Sequence, residues 1–504
     1  MLKTLRRVLA FFSLLLLTLL FLDFTGTLHA GFAWLAKIQF VPAILAGATF
    51  TIVLWLLITA LLGRIYCSVA CPLGIMQDVF AWIGKKAKKN RYSFSPNRKW
   101  LRLAMCILFF GALAVAYFKP IAGVVTNLLE PYSAFGRIAT NMFAPVWKWG
   151  NNALAFAAER MDSYAFYEVD VWLKCGWSLG VAMLTFIILA ILAWRGGRTY
   201  CNTICPVGTL LGLISTRALL KPRIDESKCS GCGLCEKNCK AACIDSKQRK
   251  IDYSRCVVCM ECVGKCKRGA IKYGVAPKKV KIAVGGTESK CETPASTSRR
   301  AFLTGAVAMA ATSVIQAQKK KVDGGLAVIK DKVIPERTTP ILPPGAQNIR
   351  DFAHKCTACQ LCVSACPNNV LRPSSDLNRF MQPEASYERG YCRPECTSCS
   401  NVCPNGALLP LTREEKSSTQ IGRAVWIKQN CLAASKNERC DNCARHCPTG
   451  AIQMVAPDKG DKKGRRIPVI DVERCIGCGA CENLCPARPF SGIVVEGVDT
   501  QKLM

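Results

Sequence analysis

The stretch Cys229-Ser230-Gly231-Cys232-Gly233-Leu234-Cys235-Glu236-Lys237-Asn238-Cys239 decides the fold of the cysteine-rich part of the chain. It has the form C-x2-C-x2-C-x3-C, in which a tight loop supplies three thiolates and a fourth cysteine trails behind. Six runs of four cysteines occur, and together they hold 24 of the 32 cysteines. A loop of this kind repeated six times is typical of [4Fe–4S] ligation, so we expect an iron–sulfur protein that carries electrons.

The first two runs predict a two-cluster ferredoxin over residues 221–277. In such ferredoxins the trailing cysteine of each run ligates the cluster of the other run. The predicted ligand sets are Cys229, Cys232, Cys235 with Cys266, and Cys256, Cys259, Cys262 with Cys239.

Four further runs predict a four-cluster domain over residues 350–495. The first and last runs have the regular spacing and enclose two looser ones, which suggests that outer pairs with outer and inner with inner. The ligand sets predicted by this nesting are Cys356, Cys359, Cys362 with Cys485; Cys475, Cys478, Cys481 with Cys366; Cys392, Cys396, Cys399 with Cys447; and Cys431, Cys440, Cys443 with Cys403. Six [4Fe–4S] clusters are therefore expected.

Other uses of these cysteines fit less well. A zinc site takes four ligands as two C-x2-C halves and has no use for a regular third and fourth cysteine. A disulfide framework does not repeat one motif six times. We expect no haem, because C-x-x-C-H is absent and the only histidines are His29, His354 and His446, and no flavin, because no flavin motif is visible. Four cysteines lie outside the pattern: Cys106, Cys175, Cys243 and Cys291.

Apolar residues concentrate near the N-terminus and predict a four-span membrane unit over residues 1–220. Four runs approach the length that crosses a bilayer. They are residues 8–22, 38–62, 101–118 and 177–194. Because no small-residue cleavage site follows Leu22, we interpret the first run as a retained helix rather than a signal peptide.

Lysine and arginine predict the orientation, because they accumulate in cytoplasmic loops. Residues 85–102, between the second and third spans, carry eight of them and no acid. The ends of the four-span unit and the ferredoxin at 221–277 are therefore expected on the cytoplasmic side of a bacterial inner membrane. The formal net charge of +33 raises nucleic acid as a partner. We expect membrane lipid and no nucleic acid instead, because the inner-loop rule and the charge of roughly −2 on each thiolate-ligated cluster account for the basic residues.

A linker over residues 278–349 contains Ser298-Arg299-Arg300-Ala301-Phe302-Leu303, followed by a mildly apolar run to Ala317. This segment is similar to a twin-arginine export signal, which carries proteins already folded with their cofactors. The same residues fit an ordinary fifth span at 301–317. Either interpretation places residues 350–495 in the periplasm, whereas a run that does not cross the membrane leaves them in the cytoplasm.

The membrane unit contains its own repeat. Arg64-Ile65-Tyr66-Cys67-Ser68-Val69-Ala70-Cys71-Pro72-Leu73-Gly74 matches Arg198-Thr199-Tyr200-Cys201-Asn202-Thr203-Ile204-Cys205-Pro206-Val207-Gly208 in both cysteines and the proline. This repeat predicts two helical hairpins related by a pseudo-two-fold axis, with both C-x3-C-P motifs at the inner face. Three roles stay open for Cys67, Cys71, Cys201 and Cys205: a seventh iron–sulfur or other metal centre, two redox thiol pairs, or packing at helix ends.

Residues 1–277, with four apolar runs, two C-x3-C-P motifs and a two-cluster ferredoxin, resemble the NapH/MauN family of membrane quinol dehydrogenases. Residues 298–495, with the twin-arginine segment, Pro343-Pro344-Gly345-Ala346 and four cysteine runs, resemble the NapG/MauM family of periplasmic ferredoxins. The resemblance implies oxidation of menaquinol or another quinol from the quinone pool, and delivery of electrons to a periplasmic reductase or cytochrome. One departure is that Lys240 and Lys267 stand where proline commonly follows the trailing cysteine.

The expected fold is an α-helical membrane protein plus α/β ferredoxin-like iron–sulfur domains, but the sequence does not locate a quinone site. Glu130, Asp23 and His29, near the outer ends of predicted spans, are candidates to accept quinol protons, although an acid at a membrane boundary is more often solvated. A relay between the inner and outer clusters is also required, and only the C-x3-C-P cysteines are candidates. Other functions stay open: a maturation or metal-handling factor for a copper-type respiratory enzyme, electron input from a cytoplasmic ferredoxin, and a redox sensor, although no output domain is visible.

Overall fold

The computed structural model describes residues 2–87, 92–275, 322–323, 327–328, 331–436, 438–457 and 466–504. Contacts divide the chain into two units, one of residues 1–275 with 332–504 and one of residues 276–331. The predicted twin-arginine segment and the predicted span at 301–317 lie outside the described residues. No disulfide is formed by the cysteines in the described part of the chain.

The N-terminal region is helical. Its helices are α1 (Leu2–Leu22), α2 (Thr27–Phe32), α3 (Trp34–Lys37), α4 (Phe40–Leu45), α5 (Thr49–Leu62), α6 (Tyr66–Val69), α7 (Pro72–Ala87), α8 (Lys99–Ala116), α9 (Gly123–Leu129), α10 (Pro131–Ile138), α11 (Ala144–Glu159), α12 (Gly176–Gly196), α13 (Thr199–Thr203) and α14 (Pro206–Ser215). A 3-10 turn precedes α9 at Pro120–Ala122, and a π-helical turn joins α10 to α11 at Ala139–Phe143. Among the described residues, α1, α8 and α12 are long and apolar enough to cross a membrane.

The second predicted span, residues 38–62, is not one helix. Gly47 adopts a left-handed conformation with φ of 68°, which ends α4 and separates it from α5. The 14-residue helix α5 is apolar but shorter than the other three. Its side chains still face outward, since Phe50 is 79% and Val53 is 60% exposed. Three of the four predicted runs therefore form helices long enough to cross a membrane, and the second run is divided between α4 and α5.

The first ferredoxin is small and built around two antiparallel strand pairs. Its elements are β1 (Lys221–Ile224), α15 (Leu234–Lys237), β2 (Ile244–Asp245), β3 (Lys250–Ile251), α16 (Glu261–Lys265) and β4 (Ile271–Gly274). Strand β1 pairs with β4, which brings the two ends of the domain together. The β2–β3 hairpin lies between the two cysteine runs and turns the second run back toward the first.

In the second unit, residues 276–331, the described part is an antiparallel hairpin of β5 (Val322–Asp323) and β6 (Ala327–Val328).

The C-terminal domain repeats the ferredoxin plan twice. Its elements are α17 (Ile349–Lys355), α18 (Leu361–Ala365), β7 (Leu371–Pro373), β8 (Pro383–Ala385), α19 (Ser398–Val402), α20 (Arg413–Ser418), β9 (Thr419–Trp426), α21 (Leu432–Ser435), α22 (Asn442–Arg445), β10 (Ile452–Val455), β11 (Ile467–Ile470), α23 (Ala480–Asn483) and β12 (Ile493–Leu503), with 3-10 turns at Leu377–Arg379 and Lys428–Asn430. Strand β12 pairs with β9 and reaches beyond the predicted boundary at 495. The lead-in before 350 belongs to the domain as well, because Arg337 donates to the carbonyl oxygen of Val495 at 2.8 Å.

One helix connects the two ferredoxin regions. At its start, the Nζ atom of Lys3 lies 2.9 Å from Oε2 of Glu261 in the first ferredoxin. Near its other end, α1 packs against α18 of the C-terminal domain. A helix of 21 residues is roughly 30 Å long, close to the thickness of the bilayer's hydrocarbon core. The two ferredoxin regions therefore contact opposite ends of an apolar helix.

Candidate iron–sulfur relay

The four regular cysteine runs share an unusual backbone. In each, the residues directly before and after the second cysteine have positive φ. They are Gly231 and Gly233, Val258 and Met260, Ala358 and Gln360, and Gly477 and Gly479. A β-branched residue such as Val258 is rarely found there, so the conformation is imposed by what the loop does. Backbone in such conformations forms concave nests of N–H groups, which suit an anionic cluster.

Two cavities in the first ferredoxin each collect four of its predicted ligands. One is lined by Cys229, Cys232, Cys235 and Cys266, and the other by Cys239, Cys256, Cys259 and Cys262. This grouping is the exchange of trailing cysteines that the sequence predicts. The ligand assignment stays a prediction, and the grouping supports it.

A fifth cysteine lies in the second cavity. The Sγ atom of Cys243 is 3.6 Å from that of Cys239, and the residue is buried. Sequence reasoning left Cys243 unassigned, because it falls outside the regular spacing. The sequence signal that could have placed Cys243 near this cavity is its position four residues after Cys239.

In the C-terminal domain the nested pairing is wrong, because the structure groups consecutive runs. Cys447 lines the cavity of Cys475, Cys478 and Cys481, where Cys366 was predicted. The other groups are Cys403 with Cys356, Cys359 and Cys362; Cys366 with Cys392, Cys396 and Cys399; and Cys485 with Cys431, Cys440 and Cys443. The reason is local, since the β7–β8 and β10–β11 hairpins each return the chain from one run to the next.

The surroundings of these thiols suit clusters. Backbone N–H groups donate to trailing sulfurs, for example from Ala270 to Cys266 at 3.2 Å and from Gly492 to Cys485 at 3.3 Å. Such bonds stabilise a thiolate and influence the potential of a metal bound to it. Burial raises the pKa of Cys359 and of Cys443 to about 12. Cluster binding requires the thiolate form, so it is coupled to release of the thiol protons.

The two C-x3-C-P motifs meet, as the repeat predicts. Cys67, Cys71, Cys201 and Cys205 are all buried and within electrostatic range of one another, and we call them the four-cysteine centre. Each motif is braced by the arginine of the other. Arg64 donates to the carbonyl oxygen of Cys201 at 3.3 Å, and Arg198 donates to that of Cys67.

Glycine is required beside each of these contacts. A Cβ atom at Gly74 would meet the carbonyl of Cys67, and one at Gly208 would meet that of Cys201. The side chain of Gln77 and the backbone N–H of Gly208 donate to the sulfurs of Cys201 and Cys205, at 3.2 and 3.3 Å. Four buried sulfurs near two arginines form a donor set that fits a thiolate-ligated cluster of net negative charge.

The first ferredoxin contacts this centre directly. Arg64, which braces the centre, also donates to the carbonyl oxygen of Ser254 at 3.0 Å. Asn202 donates to the carbonyl oxygen of Ala241, also at 3.0 Å. These contacts join the centre to the two cysteine runs of the ferredoxin, since Ala241 follows Cys239 and Ser254 precedes Cys256.

Lys240 anchors the same face. Its Nζ atom lies 2.5 Å from Oδ2 of Asp78, and its carbonyl accepts from the backbone N–H of Arg198 at 2.7 Å. This lysine stands in the place where proline is common, and the contact with Asp78 explains the departure.

A buried polar group separates the four-cysteine centre from the C-terminal domain. Glu130 is 1% exposed and lies within electrostatic range of Tyr66 and Tyr200, the tyrosines that precede Cys67 and Cys201. Arg137 interacts with both Glu130 and Cys359. None of its three guanidinium nitrogens makes a hydrogen bond within the described residues. A bound group with acceptor atoms would satisfy them.

The three quinone-site candidates occupy different positions. Glu130 caps α10 by accepting from the backbone N–H groups of Tyr132 and Ser133, and burial raises its pKa. Asp23 organises the loop after α1, accepting from Thr25, Gly26 and Leu28. His29 lies next to it, with Nδ1 3.3 Å from Oδ2 of Asp23. Among the described residues, neither Asp23 nor His29 forms a hydrogen bond or ion pair with Glu130.

No three His, Cys, Asp or Glu side chains of the described residues converge on one metal-ion position. The thiolates around a [4Fe–4S] cube bind separate iron atoms, so they need not converge in that way.

Comparison with known families agrees with this chemistry. Residues 42–91 and 176–224, which each contain one C-x3-C-P motif, match the family described as 4Fe-4S binding domain (Fer4_5). Residues 355–424 and 438–488 match the 4Fe-4S dicluster domain (Fer4_7), and each match contains cysteines of two consecutive runs. The protein is therefore an iron–sulfur electron-transfer protein of the ferredoxin type.

Individual relatives narrow the class. The methylamine utilization ferredoxin-type protein MauM of Methylobacillus flagellatus is 32% identical over 165 residues, which cover 32% of this chain and 70% of that protein. MauM of Methylorubrum extorquens is 30% identical over 207 residues, covering 38% and 86%. The ferredoxin-type protein NapG of Escherichia coli is 34% identical over 154 residues, covering 28% and 64%. The chain belongs to the MauM family of ferredoxin-type proteins. No solved structure matches it.

Proposed function

We propose that this protein oxidises a membrane quinol and passes the electrons to a periplasmic reductase or cytochrome. A quinol releases two electrons and two protons on oxidation, so the protein needs a proton acceptor close to one-electron centres. When bound, iron–sulfur clusters accept and give up single electrons.

The position of the four-cysteine centre carries this proposal. It contacts the first ferredoxin through Arg64 and Asn202, and it approaches Cys359 of the C-terminal domain through Glu130 and Arg137. The two ferredoxin regions contact opposite ends of α1, which is roughly 30 Å long, so we expect a redox centre to lie between them. A seventh cluster held by Cys67, Cys71, Cys201 and Cys205 would lie between the two regions and would supply the relay that the sequence requires.

The same arrangement supports the membrane topology. Helices α1, α8 and α12 cross the bacterial inner membrane, and the apolar segment of α4 and α5 crosses it between α1 and α8. The basic loop at 85–102 and the first ferredoxin then face the cytoplasm, and the C-terminal domain faces the periplasm. The membrane-facing sides of these helices are apolar, and Trp100 and Trp177 lie exposed at the first turns of α8 and α12. Tryptophan at helix ends is typical of a membrane interface.

Glu130 is the proton acceptor that the structure favours. Burial raises its pKa, which suits a group that takes a proton and later releases it. Burial acts on Asp23 in the same direction, but hydrogen bonds from Thr25 and the backbone outweigh it and lower the pKa, so Asp23 is a weaker base. The unpaired donors of Arg137 lie beside Glu130 and are suited to a quinone oxygen.

The test mixes the cluster-replete protein in nanodiscs anaerobically with a menaquinol analogue. Absorbance and electron paramagnetic resonance follow cluster reduction. We expect several clusters to be reduced, with reduction slowed about a hundredfold in Glu130→Gln and unchanged in Asp23→Asn. Cys67→Ser is expected to block reduction of the C-terminal clusters and to lose about four iron atoms per chain, whereas Cys106→Ser, a half-buried cysteine outside the motifs, does neither.

Two results would count against this function. A wild-type protein that is not reduced by the quinol contradicts quinol oxidation. Normal reduction and full iron content in Cys67→Ser contradict the seventh cluster while leaving quinol oxidation standing.

A further inference from the structure

The first ferredoxin has one covered cluster position and one open one. The cavity of Cys239, Cys256, Cys259 and Cys262 is about 20 Å³ and buried. The cavity of Cys229, Cys232, Cys235 and Cys266 is about 230 Å³, and Cys232 is exposed to solvent. A soluble protein can therefore come close to a cluster at the open position.

Contacts with the membrane unit hold the domain in this orientation. Lys240 pairs with Asp78 at 2.5 Å, and Asn238 accepts from Lys85 at 2.7 Å. A third contact with the membrane unit is the ion pair of Glu261 with Lys3, at 2.9 Å. In the described parts of the chain, the residues around the open cavity form no hydrogen bond or ion pair with the membrane unit.

The open cavity has a basic rim. Lys228, Arg249, Lys267 and Arg268 line it, and we call these four residues the basic rim. Over residues 221–275 the exposed charged side chains are nine bases and two acids. The bases are Lys228, Lys237, Lys247, Arg249, Lys250, Lys265, Lys267, Arg268 and Lys272, and the acids are Asp225 and Glu226.

The rim charges make only weak contacts inside the described part of the chain. Arg249 donates to the carbonyl oxygen of Glu226 at 3.4 Å. Lys228 has one weak partner, Asp225 Oδ2 at 3.9 Å, and both side chains are about half exposed. Lys267 and Arg268 form no ion pair with the described residues. Lys267 follows Cys266 just as Lys240 follows Cys239, yet one lysine is exposed at the rim while the other is buried on Asp78. The two substitutions for proline therefore serve different purposes.

We propose that the basic rim is a docking surface for an acidic, soluble one-electron carrier of the ferredoxin or flavodoxin class. Complementary charge steers such a carrier toward the exposed Cys232 edge and orients it there. In each encounter the reduced carrier would give one electron to an oxidised cluster held at the open position, so that the carrier is oxidised and the cluster is reduced, and no bond is made or broken. This exchange does not require quinol oxidation, because the described rim residues form no hydrogen bond or ion pair with residues 1–220 and so act apart from the four-cysteine centre.

A protein carrier fits this surface better than a lipid surface does. The basic residues surround a cluster position, where close approach matters for electron exchange. Among the described residues of 221–275, the only large apolar side chain that is exposed is Val275, so the rim offers nothing to insert into a bilayer.

The test measures binding of oxidised plant-type [2Fe–2S] ferredoxin, an acidic carrier, to the full-length protein in phosphatidylcholine nanodiscs. Isothermal titration calorimetry at ~50 and ~300 mM salt separates ionic binding from other contacts. We expect binding that weakens with salt, and a loss of about tenfold or more in affinity at low salt in the double variant Lys267→Glu, Arg268→Glu. The control, Lys428→Glu with Lys436→Glu, reverses two exposed lysines of the C-terminal domain and is expected to bind like wild type.

Three outcomes would overturn the proposal. The first is no binding by the wild-type protein at low salt, and the second is equal loss in both double variants. The third is charge-dependent binding to phosphatidylserine vesicles without binding to ferredoxin, which assigns the rim to lipid. Unchanged paramagnetic spectra of the reduced clusters in the variants exclude misfolding as the cause. The binding test uses no quinol, so its results can be interpreted even if the protein does not oxidise quinol.

Discussion

The two ferredoxin regions meet the membrane unit through opposite kinds of chemistry. The first is held mainly by charge. Asp78 pairs across the interface with Lys240 at 2.5 Å, while it also accepts from Arg198 of the membrane unit at 2.6 Å. Glu261 of the ferredoxin pairs with Lys3 and Arg7. Most of these groups are buried or half-buried, so each carboxylate is needed to neutralise its cations.

The C-terminal domain is held mainly by neutral contacts and shape. Ser133 donates to Thr357 at 2.7 Å, and Gln360 donates to Ser178 at 2.6 Å. A Cβ atom at Gly136 would collide with the carbonyl oxygen of Cys359. The contrast teaches that the first interface depends on pH and on the carboxylates, whereas the second depends on small residues and close approach.

The largest effect is expected from Asp78→Asn. This change leaves Arg198, Lys240 and Arg6 without their shared carboxylate in a buried place, which costs about 3–5 kcal/mol. Hydrogen exchange at the amide of Arg198, which donates to Lys240, should accelerate strongly. Asp170→Asn is the control, because its pair with Arg389 is exposed and should change stability by less than about 0.5 kcal/mol. Similar effects of the two variants would remove the charge-held interface from the comparison.

Gly136→Ala should weaken the second interface by about 1–3 kcal/mol, because the added methyl group overlaps Cys359 and Phe21. Gly150 lies in α11 with nothing within 4 Å of its Cβ position. Gly150→Ala should therefore stabilise the protein by about 0.5–1 kcal/mol through helix propensity. Thermal unfolding and hydrogen exchange over residues 357–365 measure both. Effects of equal sign at the two glycines would show that the close approach does not matter.

Acid should loosen the first interface selectively. Burial alone would raise the pKa of Glu261, but Lys3 and Arg7 outweigh it and lower the pKa from 4.5 to about 2. The unfolded state then binds more protons between these values, so the stabilisation is complete above about pH 4.5 and is lost as pH falls toward 2. Pulsed hydrogen exchange over residues 261–265 should show this loss, worth about 1 kcal/mol.

Glu261→Gln should abolish this pH dependence, and Glu226→Gln, at an exposed acid of the same domain, should preserve it. An unchanged pH profile in Glu261→Gln would assign the acid sensitivity to other groups.

The smallest effect is expected from Ser133→Ala, which removes one hydrogen bond of the neutral interface. Thr357 keeps a second partner, because Asn405 donates to it at 2.7 Å. The cost should be about 1 kcal/mol and should not grow in acid. Thermal unfolding across a range of pH values checks this, with Ser163→Ala at an exposed serine as the control. A loss that grows in acid would contradict the distinction between the two interfaces.

Sequence reasoning predicted the iron–sulfur chemistry well, because cysteine spacing is a local property. Runs such as Cys229 to Cys239 specify their own loop conformation, and the repeat of C-x3-C-P predicted correctly that two distant motifs meet. Sequence reasoning failed where the spacing allowed two different pairings of the cysteine runs. The nested pairing of the C-terminal runs was wrong, because the returns made by β7–β8 and β10–β11 are short hairpins whose role spacing does not reveal.

The membrane unit shows the same limit. Apolarity alone suggested one span over residues 38–62, but the left-handed conformation of Gly47 divides it. The departures Lys240 and Lys267 were visible in the sequence without a reason. Only the fold distinguishes them, since docking buries one on Asp78 and leaves the other at the basic rim.

The sequence by itself determined that this protein binds iron–sulfur clusters in ferredoxin-type domains and that long apolar helices accompany them, because ligand spacing and hydrophobic length are properties of contiguous residues. The tertiary structure decided which cysteine runs are partners, that Arg64 and Arg198 brace each other's motif, and that Glu130 and Arg137 lie between the four-cysteine centre and Cys359. These relations join residues far apart in the chain, and they exist only once packing has brought buried charges and small residues into contact.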